Sequence, residues 1–311
     1  MLGKIVEKLL IVRVQWHIFP TLSANQYGFM PQRSTEDALY DIVGHIRQQV
    51  DNKKIVVLVS LDIEGAFDNA WWPALKAALI EKGCPRNLYS TVSSYLANRK
   101  VVVNYAGETY EKRTTKGCVQ GSIGGPTFWN VILDSLLQRL DSDGVYCQAF
   151  ADDVALVFAD HSIQILEQTV NTTLATIVEW GDRNKLNFAA HKTNAMLVTK
   201  KTKYDPPNLF MSGATINLVE EIKLLGLVID RKLTFKSHVI TQCKKATNIY
   251  KQLARAARVT WGLNPEVTRT IYIAVVEPIM TYAASAWSHS TDMQMIRDRL
   301  NTLQRGFAQK I

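Results

Sequence analysis

The chain alternates between continuous apolar runs, which are typical of buried strands, and apolar residues at helical spacing. The run Ile55–Leu61 is almost entirely apolar and β-branched and ends abruptly in Asp62, as expected of a strand buried on both faces. Two shorter apolar segments, 145–150 and 154–158, flank Ala151-Asp152-Asp153 and predict a hairpin with acids at its tip. The pattern therefore places carboxylates at the ends of predicted strands.

The rest of the pattern predicts a mixed α/β (α+β) body followed by a helical portion that begins near Lys232. Pro73 and Gly83 bound one helix, because proline favours the first turn of a helix and glycine favours its end. Helices are predicted over about 1–19, 73–82, 126–140 and 162–184, strands over 195–199 and 222–229, and hairpins over 99–114 and 208–218. After Asp230 the apolar residues keep helical spacing.

The composition is that of a globular protein. With 311 residues and an apolar fraction of 47%, the chain can bury a sizeable core in one unit of two or three subdomains. No stretch approaches the ~20 consecutive apolar residues of a membrane span, and the first helix carries charges that a secretory signal would lack. The four cysteines lie far apart, without the spacing of a zinc site or a disulfide framework. We therefore expect an intracellular protein with no membrane partner.

The charge of the chain favours a polyanionic partner. The formal net charge is +8, and the stretch from Arg231 to Arg258 holds eight basic residues and no Asp or Glu. A smaller basic excess spans Arg99 to Lys116. A solvated helix face would also explain the longer stretch, but the absence of compensating acids favours contact with phosphates. The candidate nucleic-acid-binding residues are Lys232, Lys236, Lys244, Lys245, Lys251 and Arg255.

The predicted strand ends suggest a metal site. If the strand ending at Asp62 lies beside the hairpin that carries Asp152 and Asp153, three carboxylates meet, and Mg²⁺ prefers such hard oxygen ligands. Each element alone has an ordinary explanation, because Asp-Asp pairs are common in turns and an Asp after a strand often caps a helix. Between them lies Gly117-Cys-Val-Gln-Gly-Ser122, a glycine-rich turn before a helix, which suits close approach by a nucleotide. The combination favours phosphoryl or nucleotidyl transfer with two metal ions.

Six sequence blocks, in order along nearly the whole chain, resemble a reverse transcriptase. They are Gln26-Tyr-Gly-Phe29 with Arg33-Ser-Thr35, Leu61-Asp-Ile-Glu-Gly-Ala-Phe-Asp68, Gln120-Gly-Ser122 with Gly125-Pro126, Phe150-Ala-Asp-Asp153, His191-Lys-Thr193 and Leu224-Leu-Gly-Leu227. The set most resembles the reverse transcriptases of insect-type non-LTR retrotransposons such as the jockey group. The resemblance implies a right-hand polymerase with an antiparallel palm sheet. Its parts would be partial fingers over 1–54, a palm over 55–230 with a fingers-side hairpin near 99–116, and a basic helical thumb or connection over 231–311.

The resemblance also assigns residue roles. Asp62 and Asp152 would bind two Mg²⁺ ions, or Mn²⁺ in their place, with Asp153 completing the acidic cluster and the backbone carbonyl of Ile63 adding a ligand. Lys192 matches a lysine near the departing pyrophosphate, where it could act as a general acid or a counter-charge.

Four further residues match positions at the nucleotide. Phe67 stands at the steric gate, where an aromatic ring would collide with a ribose 2′-hydroxyl. Gln120 and Gly121 would lie against the incoming nucleotide, and Arg33 would contact a phosphate backbone or the triphosphate. Without the motif, Phe67 would be read as a core aromatic residue and Lys192 as a surface residue.

The partners implied by the resemblance are an RNA template, a DNA primer or target, and dNTPs. The family's arginine-bearing fingers block normally lies just before Gly3-Lys4, so we expect the fingers to be truncated. Three hypotheses stay open: an active RNA-directed DNA polymerase, a retrotransposon remnant that binds nucleic acid with little activity, and another two-metal enzyme such as a nuclease or nucleotide cyclase. Synthesis primed at a chromosomal nick implies the nucleus, with a cytoplasmic ribonucleoprotein as the alternative.

Overall fold

A computed structural model describes residues 2–119, 121–201, 204–259 and 265–308. The helices are α1 Leu2–Ile18, α2 Thr35–Asp51, α3 Ala66–Asn69, α4 Trp72–Glu81, α5 Arg86–Leu96, α6 Gly124–Ser142, α7 Ile163–Asn184, α8 Lys236–Val259, α9 Pro265–Ile271, α10 Glu277–Thr281, α11 Ala284–Trp287 and α12 Gln294–Ala308. The strands are β1 Ile55–Leu61, β2 Lys100–Tyr105, β3 Glu108–Arg113, β4 Tyr146–Phe150, β5 Asp153–Asp160, β6 Asn194–Val198, β7 Phe210–Met211, β8 Ala214–Thr215, β9 Asn217–Leu218, β10 Glu221–Leu224 and β11 Leu227–Asp230. Short 3₁₀ segments cover Phe19–Thr21 and Ser288–Asp292, and a π-helical segment covers Tyr272–Val276.

The central feature is a five-stranded main sheet with the order β4-β5-β1-β6-β9. Its pairs are antiparallel except for the short parallel pair of β6 and β9. Leu61 at the end of β1 pairs with Val154 near the start of β5, and Val56 near the start of β1 pairs with Val198 at the end of β6. The strand that ends at Asp62 and the hairpin that carries Asp152 and Asp153 are therefore adjacent, and the end of β1 lies beside the β4–β5 turn.

The main sheet separates two hydrophobic cores, because alternate residues of β1 point to opposite faces. Val57 and Val59 belong to a core shared with α1 and with helices α4 to α7. Val56 and Leu58 belong to a second core shared with α2, β10, β11 and the C-terminal helices α8, α11 and α12. The prediction that this strand is buried on both faces is confirmed.

Most predicted elements are present, with small shifts at their ends, but the single strand predicted over 222–229 is wrong. The segment folds as the hairpin β10–β11, with Leu224 paired to Leu227. Leu225 and Gly226 form its turn with φ values of 47° and 89°. Leucine rarely adopts a left-handed conformation, so an apolar Leu225 within an apolar run gave no indication of a turn at this position.

Three helices, α2, α5 and the one-turn α3, were absent from the predicted elements, and α1 differs in character. α2 starts with a capping box, in which the Ser34 side chain accepts from the Asp37 amide while the Asp37 carboxylate accepts from the Ser34 amide. α5 packs beside α4. α1 is not simply amphipathic, since it buries Ile11 and Val14 yet leaves Leu9 and Trp16 exposed.

Two further features bear on the predicted domains. All residues of the hairpin β2–β3 are exposed, so it projects from the body. α2 packs against β1, β4 and β5, so the first 54 residues contact the main sheet directly. The predicted boundaries near 54 and 230 stay predictions. Within the described ranges no helix combines the length and apolar character needed to cross a bilayer.

Candidate active site

The three predicted metal-binding aspartates meet at one end of the main sheet. Asp62 follows β1 directly, Asp153 begins β5, and the Leu61–Val154 pair places them on neighbouring strands. Asp152 occupies the tight turn between β4 and β5. Partial burial raises the pKa of Asp153, and the negative charges of Asp152 and Asp62 raise it further. Asp152 and Asp62 are therefore both close enough to act electrostatically on Asp153.

This donor set suits a divalent cation. The carboxylates supply hard oxygens, and a cation among them would relieve the repulsion felt by Asp153. Within the described ranges, no three side chains of Asp, Glu, His or Cys lie close enough together to hold a metal ion by themselves. The aspartates instead line an open site at the end of the main sheet, to which water or a substrate phosphate could add ligands.

The backbone at Ile63 is oriented toward the acidic hairpin. Asp62 O accepts from Ala189 N at 2.9 Å, and Glu64 N donates to Asn187 O at 2.9 Å, so both flanking residues use the edge that faces residues 187–189. Because successive residues of an extended strand direct their polar groups to opposite edges, the carbonyl of Ile63 faces the β5 side. This orientation supports its assignment as a ligand, which stays a prediction.

Lys192 lies beside the acids. Its Nζ is 3.7 Å from Asp62 Oδ1, and both side chains are substantially exposed. The turn that carries it is fixed to the end of β1, since Asp62 N donates to the Oγ1 of the buried Thr193 at 3.3 Å and Thr193 N donates to Ala189 O at 2.9 Å. The lysine is therefore an exposed cation at the rim of the acidic site.

The β4–β5 turn that carries Asp152, here called the acidic turn, is contacted by side chains of α6. Trp129, which is fully buried, donates from Nε1 to Ala151 O at 2.9 Å, and Ala151 adopts the left-handed φ of 59°. Asn130 donates from Nδ2 to Gly28 O at 2.8 Å. Sequence reasoning missed both residues, because they lie inside an ordinary helical pattern; a buried Asn on an apolar face was the available signal.

Gly28 makes close contact with the same turn. A Cβ at this position would lie 2.2 Å from Ala151 N and 2.8 Å from the carbonyl carbon of Phe150. The segment is held there by Tyr27 N, which donates to Ala149 O at 2.7 Å. The block Gln26-Tyr-Gly-Phe29 therefore packs against the turn that carries Asp152, a structural function that the sequence did not reveal.

Phe67 is held at the mouth of the site by aromatic neighbours. Its ring packs edge-on against Phe29 with centroids 6.3 Å apart and lies 5.5 Å from the ring of Trp129. Its carbonyl accepts from Cys118 N at 2.7 Å. The ring is only partly buried, so the prediction that it can meet a substrate is compatible with its position.

The glycine-rich loop is fixed next to Phe67. Gly117 N donates to Ala70 O at 2.8 Å, and a Cβ on Gly117, which has φ 97°, would lie 3.0 Å from Asp68 O. Gly121 has φ 76° and open space around it. The predicted nucleotide contact of Gln120 falls outside the described residues.

Arg33 has local partners. Its Nη1 donates to Gln26 O at 2.8 Å and to Ala24 O, and the guanidinium lies 4.8 Å from the ring centroid of Tyr27. These contacts stabilise the segment that packs against the acidic turn. A direct contact between Arg33 and nucleotide stays a prediction.

The predicted basic surface is exposed. Lys244, Lys251 and Arg255 are exposed and lie on one face of α8, opposite the buried Val239 and Ala246. Lys236 and Lys245 flank that face, and Lys232 lies in the turn before the helix. Their contact with nucleic acid stays a prediction.

Comparison with known proteins agrees with this geometry. Residues 1–229 match the family model described as reverse transcriptase (RNA-dependent DNA polymerase). A Pol polyprotein from type-1 retrotransposable element R1 of Bradysia coprophila is 30% identical over 98% of this chain and 30% of its own length. The RNA-directed DNA polymerase from mobile element jockey of Drosophila melanogaster is 27% identical over 98% of this chain and 34% of its own length. The chain thus spans about a third of these relatives.

Solved structures show the fold. Telomerase from Candida albicans, in complex with the TWJ fragment of telomeric RNA, aligns with 98% of this chain and 54% of its own length, at a TM-score of 0.50 and 12% identity. This likeness supports the predicted right-hand polymerase fold, with the main sheet as its palm. The resemblance to non-LTR elements is confirmed by relatives from both R1 and jockey. The chain belongs to the reverse transcriptase family.

Proposed function

We propose that this chain is an RNA-directed DNA polymerase that transfers a deoxynucleotide from a dNTP to the 3′-hydroxyl of a primer paired with an RNA template. The observation that carries the proposal is the meeting of Asp62, Asp152 and Asp153 at one end of the palm sheet, near the partly exposed Phe67. A nuclease or cyclase would use similar acids, but the family match favours polymerisation.

The family generally uses divalent metal ions, and the open acidic site fits them. Asp62, Asp152, Asp153 and the Ile63 carbonyl would hold two Mg²⁺ ions, with Mn²⁺ as the alternative. When bound, such ions stabilise the charge that develops on the attacking and leaving oxygens of an in-line displacement.

The chain's own groups supply position and charge. The edge-on contact with Phe29 and the packing on Trp129 hold the Phe67 ring where a deoxyribose would lie against it. Lys192 would place its ammonium group near the leaving pyrophosphate, where it balances charge or donates a proton. The exposed basic face of α8 would follow the phosphates of the template and primer.

The test is primer extension on an RNA template with dNTPs and Mg²⁺. Asp152→Asn should reduce extension by about 100-fold or more, because it removes a negatively charged ligand from the ions that would stabilise the reacting phosphate. Asp143→Asn is the matched control: Asp143 is an exposed acid that pairs with Arg139 on α6, away from the site. Equal extension by the unmodified chain and Asp152→Asn would contradict the proposal.

The same experiment separates the remnant hypothesis. A chain that binds the template and primer but extends no primer, with or without the substitution, would be a nucleic-acid-binding remnant. For an active chain that primes synthesis at a chromosomal nick, we propose the nucleus as the site of action.

A further inference from the structure

A large cavity lies at the opposite end of the palm sheet from the three aspartates. It has a volume of about 930 Å³, and its walls carry Arg47, Lys200, Lys201, Arg231, Lys232 and His289. Because Val56 at the start of β1 pairs with Val198, the lysines that follow β6 lie beyond the start of β1. At about 3.3 Å per residue, the seven residues of β1 separate this cavity from Asp62 by about 23 Å.

The cationic groups come from separate parts of the chain. Arg47 is on α2, Lys200 and Lys201 follow β6, Arg231 and Lys232 follow β11, and His289 is in the 3₁₀ segment after α11. Sequence reasoning grouped Lys232 with the basic residues of α8. The structure instead places it in this cavity, together with cations that are up to 185 positions away along the chain, the separation between Arg47 and Lys232.

Three of these cations form no salt bridge with a described residue, although the Asp51 carboxylate, which also lines the cavity, attracts Arg47. Lys200 pairs with Asp51 at 3.0 Å and Arg231 pairs with Glu220 at 2.8 Å, which leaves Arg47, Lys201 and Lys232. In the described part of the chain, no carboxylate forms a salt bridge with any of these three.

Asp230 and the histidine do not neutralise them. The Asp230 carboxylate accepts from three backbone amides, those of Lys232, Thr234 and Phe235, which orders the turn before α8. Arg47 donates to Ala286 O at 2.5 Å and lies 2.8 Å from His289 Nδ1. Burial lowers the pKa of His289, so its ring is a neutral partner near pH 7. The walls thus hold excess positive charge.

The cations are held in place before any ligand arrives. The Arg47 guanidinium lies 5.6 Å from the ring centroid of the buried Phe235, Arg231 donates to the Tyr204 hydroxyl, and Lys201 Nζ donates to His161 O at 3.1 Å. Like charges that converge on one cavity repel one another, and an anion removes that repulsion. Since the cations are spread over several walls of a wide cavity, the geometry suits a chain of phosphates better than a single one.

We infer that this cavity binds the phosphodiester backbone of a single nucleic-acid strand, as a second contact distinct from the acidic site. The inference rests on the proposed function in one respect, because the strand would be an extension of the template or the primer. It goes beyond that function by assigning Arg47, Lys201 and Lys232 to a site at the far end of the palm.

The test measures equilibrium binding without dNTPs or metal, so that its outcome does not depend on polymerase activity. The probes are labelled single-stranded RNA and DNA of about 6 and about 30 nucleotides, because only the longer strands can reach both sites. Lys201→Gln/Lys232→Gln should weaken binding of the long probe about 25-fold at about 0.1 M salt, and lower the salt slope by about 1.4, the loss of two phosphate contacts. Comparing RNA with DNA shows which strand the cavity holds.

The control variant loses the same number of positive charges, but from the opposite face of the sheet. Arg86→Gln/Arg139→Gln removes two exposed cations from α5 and α6, and should leave the affinity for the long probe within about twofold of the unmodified chain. Equal weakening by both double variants would overturn the inference, because the effect would then reflect net charge alone. Unchanged binding by Lys201→Gln/Lys232→Gln would overturn it as well.

Discussion

At the scale of single residues, the position of the acidic turn depends on one missing side chain. Gly28 contacts the backbone of Phe150 and Ala151 so closely that any Cβ would overlap it. From the other side, Trp129 donates to Ala151 O. The turn that carries Asp152 is therefore held between a glycine and an indole, and its position follows from packing rather than from its own sequence.

We expect Gly28→Ala to reduce primer extension by about 100-fold, because moving the turn by about 1 Å misplaces Asp152. The substitution should also lower the melting temperature, since a Cβ 2.2 Å from Ala151 N must displace backbone. Gly44→Ala is the control: Gly44 lies in α2 with nothing within 4 Å of its added Cβ, so the protein should be equally or more stable. Full activity in Gly28→Ala would show that the turn tolerates displacement.

Phe67 permits a test of sugar selection. Phe67→Val removes the ring that Phe29 and Trp129 hold in place, so ribonucleotides should be incorporated at least about 10-fold more readily relative to deoxynucleotides. The measurement is the ratio of kcat/KM for a dNTP and the matching ribonucleotide. Phe210→Val, at an exposed strand residue on the short β7, should leave this ratio unchanged. An unchanged ratio in Phe67→Val would remove Phe67 from this role.

At the scale of elements, the hairpin β2–β3 combines regular pairing with full exposure. Residues 100–105 pair with residues 108–113, yet all of these side chains are exposed, including Val101 and Tyr110. The strands contribute little to either core, so selection for stability does not explain them. Their basic residues, among them Lys112 and Arg113, suit contact with phosphates.

Replacing residues 100–113 with a short Gly-Ser linker should weaken template–primer binding about 10-fold or more through lost phosphate contacts, with a melting temperature changed by less than about 4 °C. The junction is favourable because Thr114 N donates to Arg99 O at 3.1 Å, so the ends are already adjacent. Lys112→Gln/Arg113→Gln should reproduce much of the loss if charge is the cause. Unfolding of the linker variant would show that the hairpin supports the core.

The elements also show what the sequence could predict. β1, α4 and α6 were predictable because long apolar patterns and local proline and glycine signals define them. The split between β10 and β11 was not, since Leu225 adopts a left-handed conformation that its side chain disfavours. The three aspartates were placed by strand pairing, whereas the support from Trp129 and the cavity around Lys201 depend on contacts between distant segments that no local pattern records.

At the scale of the whole molecule, the C-terminal helices and the palm share a core. The family match ends at residue 229, but Trp287 and Ile296 are buried in the same cluster as Val56 of β1. Polar contacts cross the same junction: Ala283 N donates to Glu36 at 3.1 Å, and the Tyr282 hydroxyl donates to Leu225 O at 2.5 Å. The basic helix α8 is therefore positioned relative to the acids by packing through α2 and β10–β11.

This junction should make the fold acid-sensitive. His238 is fully buried there, accepts from Val228 N at 3.4 Å and has its pKa lowered below 6.5, first by burial and then by Lys245. The histidine binds a proton more readily in the unfolded chain than in the folded protein. Its full contribution to the free energy of unfolding is therefore present above about pH 6.5. That contribution falls as the pH drops toward the folded pKa, by at most about 1.4 kcal/mol per pH unit. Circular dichroism melts should therefore shift downward as the pH falls below about 6.5, and His238→Gln should flatten that dependence while His161→Gln, at an exposed position, should not. If the melting temperature of His238→Gln fell equally steeply with pH, the acid sensitivity would arise from other titratable groups, and protonation at this junction would not be its cause.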